Sequence, residues 1–309
     1  MGTLVEISVR EPDADKAQRA VDQAFDEMQR LEKLMSTHLA DSEISRLNAN
    51  AGEAEFIPVS QEVLEVIQRA IYWSNKTSGA LDISVGPASR LWHFDNENPS
   101  LPDAERLAQA VPLINFHDIE IKASRVRLKQ SGMSLHLGAI AKGFAVDRAI
   151  AVLKNLKIQH ALINAGGDLK TLGNRDDGKP WRIGLQHPRQ PEKMIASFAL
   201  SGKAVATSGD YQKYFMLEGT RYHHILDPKS GMPARGMISA TIVTDSVMDA
   251  DALATAVFVL GPEKGMILVD SLNEVEAMLV LESGTVLFSK NFQSQSGFTF
   301  HTLQKDSIK

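Results

Sequence analysis

Two oxygen-bearing side chains, Asp251 and Thr255, stand four residues apart in Met248-Asp249-Ala250-Asp251-Ala252-Leu253-Ala254-Thr255-Ala256-Val257-Phe258. At helical spacing they share one face, one turn from each other. Beyond its acids the segment is apolar, so the helix belongs in a core. A carboxylate there needs a partner, because an unpaired buried charge is costly. Two hard oxygens with no His or Cys beside them suit Mg²⁺ better than zinc. A plainer reading stands next to this one: Asp249 or Asp251 caps the helix and Thr255 bonds back to a carbonyl.

Other segments carry weaker signals. His136-Leu137-Gly138-Ala139-Ile140-Ala141-Lys142-Gly143 leads into a helix whose N-terminus, with Lys142, forms a natural anion site. The alternative is a tight turn with a solvated lysine, since the Walker spacing is absent. Asn164-Ala165-Gly166-Gly167-Asp168 lies between apolar runs and could admit a ligand, or make a bulge or hairpin. His223-His224-Ile225-Leu226-Asp227-Pro228-Lys229-Ser230-Gly231 sets two imidazoles and a carboxylate before a turn, and Asp-Pro-Lys-Ser-Gly is sound turn chemistry by itself. Leu91-Trp92-His93-Phe94 could stack on a planar ligand or simply pack.

The elements that must position these residues mix helix and strand. Leu4–Val9 reads as a strand, and Ala17 to Met35 recur at helical spacing after Pro12-Asp13. A polar loop is expected from His38 to Asn50, then a helix from near Ser60 to before Gly79. A short helix over Leu101–Ala110 and strands at Ile119–Ile121 and Val126–Leu128 follow. Ala141–Leu156 is a helix and Ala161–Ile163 a strand. Strands come next at Trp181–Gln186, Ile195–Leu200 and Ile238–Thr244, then helices over Asp249–Leu260 and Pro262–Ser271. A hairpin, Glu276–Leu281 with Thr285–Ser289, closes the order, leaving 293–309 as a polar tail. Without regular β-α alternation the fold class is α+β, with mixed or antiparallel sheets covered by helices. No linker marks a boundary, so one domain over 1–292 is expected.

The 309 residues are 43% hydrophobic and 23% charged with net charge -5, which favours neither nucleic acid nor an anionic membrane surface. The absence of cysteine excludes disulfides, thiolate metal sites and a cysteine nucleophile. No apolar run approaches the ~20 residues that span a bilayer.

Taken in order, six blocks resemble the ApbE family of FAD:protein FMN transferases. They are Met1-Gly2-Thr3; Met35-Ser36-Thr37 through Asn48; Asp82 to Trp92; Leu137 to Asp147; Asn164 to Asp168; and His224 to Pro228 followed by Ala250 to Gly261. The resemblance implies a single ApbE-like (T-fold-like) globular unit. It also implies Mg²⁺-dependent cleavage of FAD, transfer of FMN to a threonine of an acceptor protein and release of AMP. By position, the family's metal ligands fall on the Ala139 carbonyl, Asp251 and Thr255. Its flavin contacts fall on Met1, His38, Trp92, His93, Phe94, His136, Lys142 and His223. Acceptors would be subunits of membrane redox complexes. The protein would be exported to the periplasm, its leader trimmed, with anchoring through a missing N-terminal cysteine left open.

Three positions depart from the family pattern: His38 where an aromatic is usual, His136 where aspartate is usual, and His223 as an extra imidazole. For chemistry, His224 is the candidate general base, since imidazole's ordinary pKa of ~6.5 suits the task, and Asp227 would orient it. Hydrolysis of FAD by water and FAD binding without catalysis are the competing expectations.

Overall fold

The computed structural model describes residues 2–94 and 99–301. In chain order its elements are β1 (Val5–Val9), α1 (Ala14–Met35), α2 (Glu43–Ala49), β2 (Ile57–Pro58), α3 (Gln61–Lys76), α4 (Gly86–Ser89) and α5 (Ala104–Ala110). Next come β3 (Ile119–Lys122), β4 (Arg125–Leu128), α6 (Ala141–Asn155), β5 (Ala161–Ala165), β6 (Asp168–Leu172), β7 (Trp181–His187) and β8 (Gln190–Leu200). The order continues with β9 (Ala204–Gly209), β10 (Tyr214–Leu217), β11 (Thr220–His223), β12 (Met237–Thr244) and α7 (Val247–Leu260). It closes with α8 (Pro262–Asp270), β13 (Glu276–Leu281), β14 (Val286–Phe288) and β15 (Thr299–Phe300). The α+β expectation holds: every pairing between these strands is antiparallel.

Contacts divide the chain into two compact units. The first draws on Met1–Gln29, Lys142–Tyr211 and Gly236–Lys309, the second on Arg30–Ala141 and Gln212–Arg235. The chain changes unit inside α1, at the start of α6, and just outside β9 and β12. No composition shift announces those points, because they lie within or beside regular elements.

The first unit is built on a seven-stranded sheet in the order β1-β5-β6-β9-β12-β13-β14. All eight residues of β12 are buried, as a strand covered on both faces requires. Helix α7 packs on one face, against β9 and β12. On the other face β7 and β8 bring Trp181, Ile183 and Phe198 against Val205, Val243 and Val280. Strict alternation of buried and exposed residues along β7 follows from covering only one of its faces.

The stretch expected as a frayed tail joins this core as far as His301. Beside Phe292, the fully buried residue that precedes the stretch, β15 pairs with β8, and Phe298 and Phe300 set ring edges against Phe288. Isolated phenylalanines in a polar segment give no periodic signal, yet each aromatic ring buried contributes a large apolar area.

In the second unit, α3 starts where expected, with the Ser60 side chain accepting from the Val63 N–H. The loop expected at His38 to Asn50 contains α2, capped by Ser42 and buried through Ile44 and Leu47. Seven residues are too few for periodicity to register. Buried Asp82 ties two loops together, accepting from the Ser84 N–H at 2.8 Å, the Ser84 hydroxyl at 2.6 Å and the Phe116 N–H at 3.1 Å. Burial raises its pKa, and those three donors pull the other way. Asp82→Ala leaves buried donors unmatched, at about 1–3 kcal/mol for each that water does not reach. Urea unfolding of that variant is therefore expected to show about 3 kcal/mol of lost stability; a loss below about 1 kcal/mol contradicts the tie.

Candidate functional site

Helix α7 begins with a cap that neither Asp249 nor Asp251 supplies. The Ser246 hydroxyl accepts from the Asp249 N–H, and Asp147, reaching across from α6, accepts from the Met248 N–H at 3.0 Å and the Ser246 hydroxyl at 2.9 Å. Lys170 balances Asp147 at 2.7 Å. The carboxylate of Asp251, 3% exposed, is thereby left for other work. One oxygen takes the Lys142 ammonium at 3.1 Å and the other the Gly143 N–H at 3.1 Å. The N-terminal turn of α6, read from sequence as a site for a phosphate, receives the carboxylate of Asp251.

Lys142 also meets Asp168 at 2.6 Å. Two buried carboxylates thus share one ammonium. Burial, and then the charge of Asp251, push Asp168 up to about 7, although Lys142 pulls it down. Desolvation works to lower the Lys142 pKa, but the two aspartates outweigh it and hold the ammonium firmly protonated. One turn along α7, the Thr255 hydroxyl meets the Ser208 hydroxyl at 3.1 Å, not a backbone carbonyl of its own helix. Hard oxygen donors with surplus negative charge suit a cation such as Mg²⁺. Among the described residues no group of three or more His, Cys, Asp or Glu side chains forms a metal cluster.

Two glycines make this arrangement possible. A Cβ at Gly143 would lie 2.3 Å from the Val247 carbonyl oxygen, so only glycine lets α6 approach α7 closely enough to reach Asp251. Gly166, with φ of 62°, turns β5 into β6 beside Gly167 and sets Asp168 opposite Ala165. The paired glycines are a hairpin, one of the two structural readings of that segment. Gly143→Ala gains about 1 kcal/mol of helix propensity. It also forces a backbone clash of the kind that costs about 1–3 kcal/mol or more. The clash is expected to win, lowering the melting temperature; an unchanged or raised value would show that α6 can shift without penalty.

In the second unit, Trp92 is buried, its indole N–H donates to the Gly231 carbonyl at 2.9 Å, and its ring stacks on Phe94 with centroids 5.7 Å apart. Phe215 and Tyr222 complete the aromatic cluster. His93 and His38 are exposed. His136 is half-buried, its N–H bonded to the Ile83 carbonyl. Ala139 sits in the turn that precedes α6. His223 is buried with both ring nitrogens engaged, Nε2 at 2.9 Å from the Ala234 carbonyl and Nδ1 accepting from the Ile225 N–H. His224 is half-buried just beyond β11, with Nδ1 3.3 Å from the Lys213 carbonyl. An Nδ1–H donated to that carbonyl makes Nε2 the basic nitrogen. Asp227 closes the turn that its sequence foretold, accepting from the Lys229 N–H at 3.0 Å. Met1 lies outside the described residues.

Sequence reasoning did not assign roles to Asp147, Asp168 or Ser208. Asp168 was in view only as the end of a glycine turn. Its partners lie 26 and 83 residues away, at Lys142 and Asp251, a distance no local pattern spans.

Comparison with known proteins adds a consistent answer. The model of the ApbE family matches residues 1–279. The FAD:protein FMN transferase of Treponema pallidum is 32% identical over 299 residues, covering 91% of this chain and 82% of that one. The crystal structure of the ApbE protein from Thermotoga maritima superposes with a TM-score of 0.88 at 33% identity over 96% of each chain. Flavin transferase ApbE from Vibrio cholerae superposes with a TM-score of 0.84 at 30% identity, again over 96% of each.

Proposed function

The chain belongs to the ApbE family, and from that membership we propose that it is an FAD:protein FMN transferase. The reaction is Mg²⁺-dependent: the FMN half of FAD passes to a threonine of an acceptor protein and AMP leaves. The observation that carries this reading in the chain itself is the buried pair Asp168 and Asp251 sharing Lys142. We place the acceptor among subunits of membrane redox complexes, and the reaction on the extracytoplasmic side.

Asp251 and Thr255 would hold Mg²⁺, with the Ala139 carbonyl as a third ligand. When bound, the ion supplies charge neutralisation at the pyrophosphate oxygens. Phosphoryl transfer needs little covalent help from a protein, so positioning and electrostatics dominate. Lys142 fixes both carboxylates in place. Asp147 and Ser246 anchor the α7 N-terminus and with it the height of Asp251. The Ser208 hydroxyl orients that of Thr255. His224 takes the threonine proton at Nε2 as the hydroxyl attacks the FMN phosphorus; the bond from that phosphorus to the AMP oxygen breaks, and AMP departs. Phe94, a half-buried ring of the Trp92 cluster, would be a ring on which a flavin stacks.

Incubation with FAD and Mg²⁺, with and without an acceptor domain, tests the reading. AMP formed only with the acceptor supports transfer. AMP formed equally without it makes the protein an FAD hydrolase, and no AMP in either case makes it a flavin binder.

A further inference from the structure

A transferase has to hold its acceptor as well as modify it. Strands β10 and β11 form a two-stranded hairpin with Tyr214 opposite His223 and Met216 opposite Arg221. The His224 N–H donates to the Lys213 carbonyl at 3.1 Å, which identifies Lys213 and His224 as a hydrogen-bonded pair. Alternation along an antiparallel ladder then makes 214/223 and 216/221 the non-bonded pairs, whose N–H and C=O groups point outward. On the β11 side the outward carbonyl of Arg221 is taken by Arg235 at 2.7 Å. On the β10 side, no hydrogen bond among the described residues engages the outward groups of Tyr214 and Met216.

The side chains at that edge are equally unusual. Tyr214 is 39% exposed and Met216 50% exposed. Phe215, between them, is buried in the Trp92 cluster. Arg221 lies over the Tyr214 ring at 3.8 Å. The segment 212–235 carries Lys213, Arg221, Lys229 and Arg235 against Glu218 and Asp227, in a chain of net charge -5. An open strand edge with apolar side chains is normally a hazard that proteins blunt or cover. Here it is bordered by positive charge and ends beside His224.

We infer that the outer edge of β10 takes an extended, acidic segment of the acceptor protein as a third strand, an inference that rests on the transferase reading above. Main-chain groups of Tyr214 and Met216 supply the pairing, the Tyr214 and Met216 side chains the apolar contact, and Lys213 and Arg221 the charge preference. The third lane lies two strand spacings from β11, about 10 Å. At about 3.3 Å per residue, a target threonine roughly three residues past the paired stretch reaches His224.

The test uses the full chain, FAD, Mg²⁺ and a purified acceptor domain bearing its target threonine. Met216→Pro removes an outward N–H without touching a hairpin hydrogen bond, and Arg221→Glu reverses the charge. Each is expected to raise the acceptor KM by about tenfold or more, the equivalent of about 1.4 kcal/mol, with FAD affinity unchanged. Hydrogen exchange at the Tyr214 and Met216 amides should slow when an acceptor whose threonine is changed to valine is added. If the wild type labels the acceptor while both variants keep its KM and those amides exchange freely, the edge inference is overturned. If the wild type attaches no flavin to the acceptor, the transferase reading itself falls and this inference with it.

Discussion

Asp251→Asn is expected to reduce Mg²⁺-dependent release of AMP by about 10³-fold or more. A metal ion at a transferring phosphoryl group is worth several kcal/mol of transition-state stabilisation, and each 1.36 kcal/mol is a factor of ten in rate. Asparagine keeps the shape of the side chain and an oxygen able to accept from the Gly143 N–H, so α6 and α7 should stay docked. It removes the charge that repels Asp168 and leaves Lys142 paired with Asp168 alone. The variant should therefore fold with a melting temperature close to that of the wild type. Steady-state assays across a Mg²⁺ titration check this. A variant that turns over within about tenfold of the wild type at saturating Mg²⁺ would move the ion off Asp251.

His224→Ala should slow transfer to the acceptor by about 10²–10⁴-fold, the usual range for loss of a general base. The residue stands just beyond β11; its ring Nδ1 lies 3.3 Å from the Lys213 carbonyl, and its backbone N–H also donates to that carbonyl, a bond independent of the side chain. Alanine keeps that bond, so the hairpin should survive. FAD binding, followed by flavin fluorescence, is expected to stay within a few-fold of the wild type. Equal loss of binding and transfer would make His224 a structural residue. Asp227→Ala tests the orienting role expected of Asp227 from sequence. Since that carboxylate closes the turn to Lys229, any loss should appear first as instability of the turn.

Sequence carried the long helices and the buried strands well, because those segments repeat their pattern over many residues. It placed the start of α3 near Ser60 and β12 as a strand from local chemistry alone. It left out β2, β6, β9, β10, β11 and β15. Small residues in Ala204–Gly209 hide a central strand, since packing under α7 rewards alanine and serine over the branched residues that mark a strand. At the site, the helix pair Asp251 and Thr255 was legible from spacing, but its competition with a capping role was not resolvable. Ser246 stands at the α7 terminus by sequence, but only the fold brings Asp147 there to complete the cap and leave Asp251 free of that role. The same holds for Asp168, whose meeting with Lys142 depends on a hairpin turn and a glycine at 143.

The most direct test of the account is a count of products from one reaction. The protein, FAD, Mg²⁺ and an acceptor domain are incubated together, and AMP and flavin bound covalently to the acceptor are both quantified. The expected result is one covalent FMN for each AMP, with both lost when EDTA is added or the target threonine is replaced by valine. AMP without covalent flavin, or flavin attached in the presence of EDTA, would contradict it.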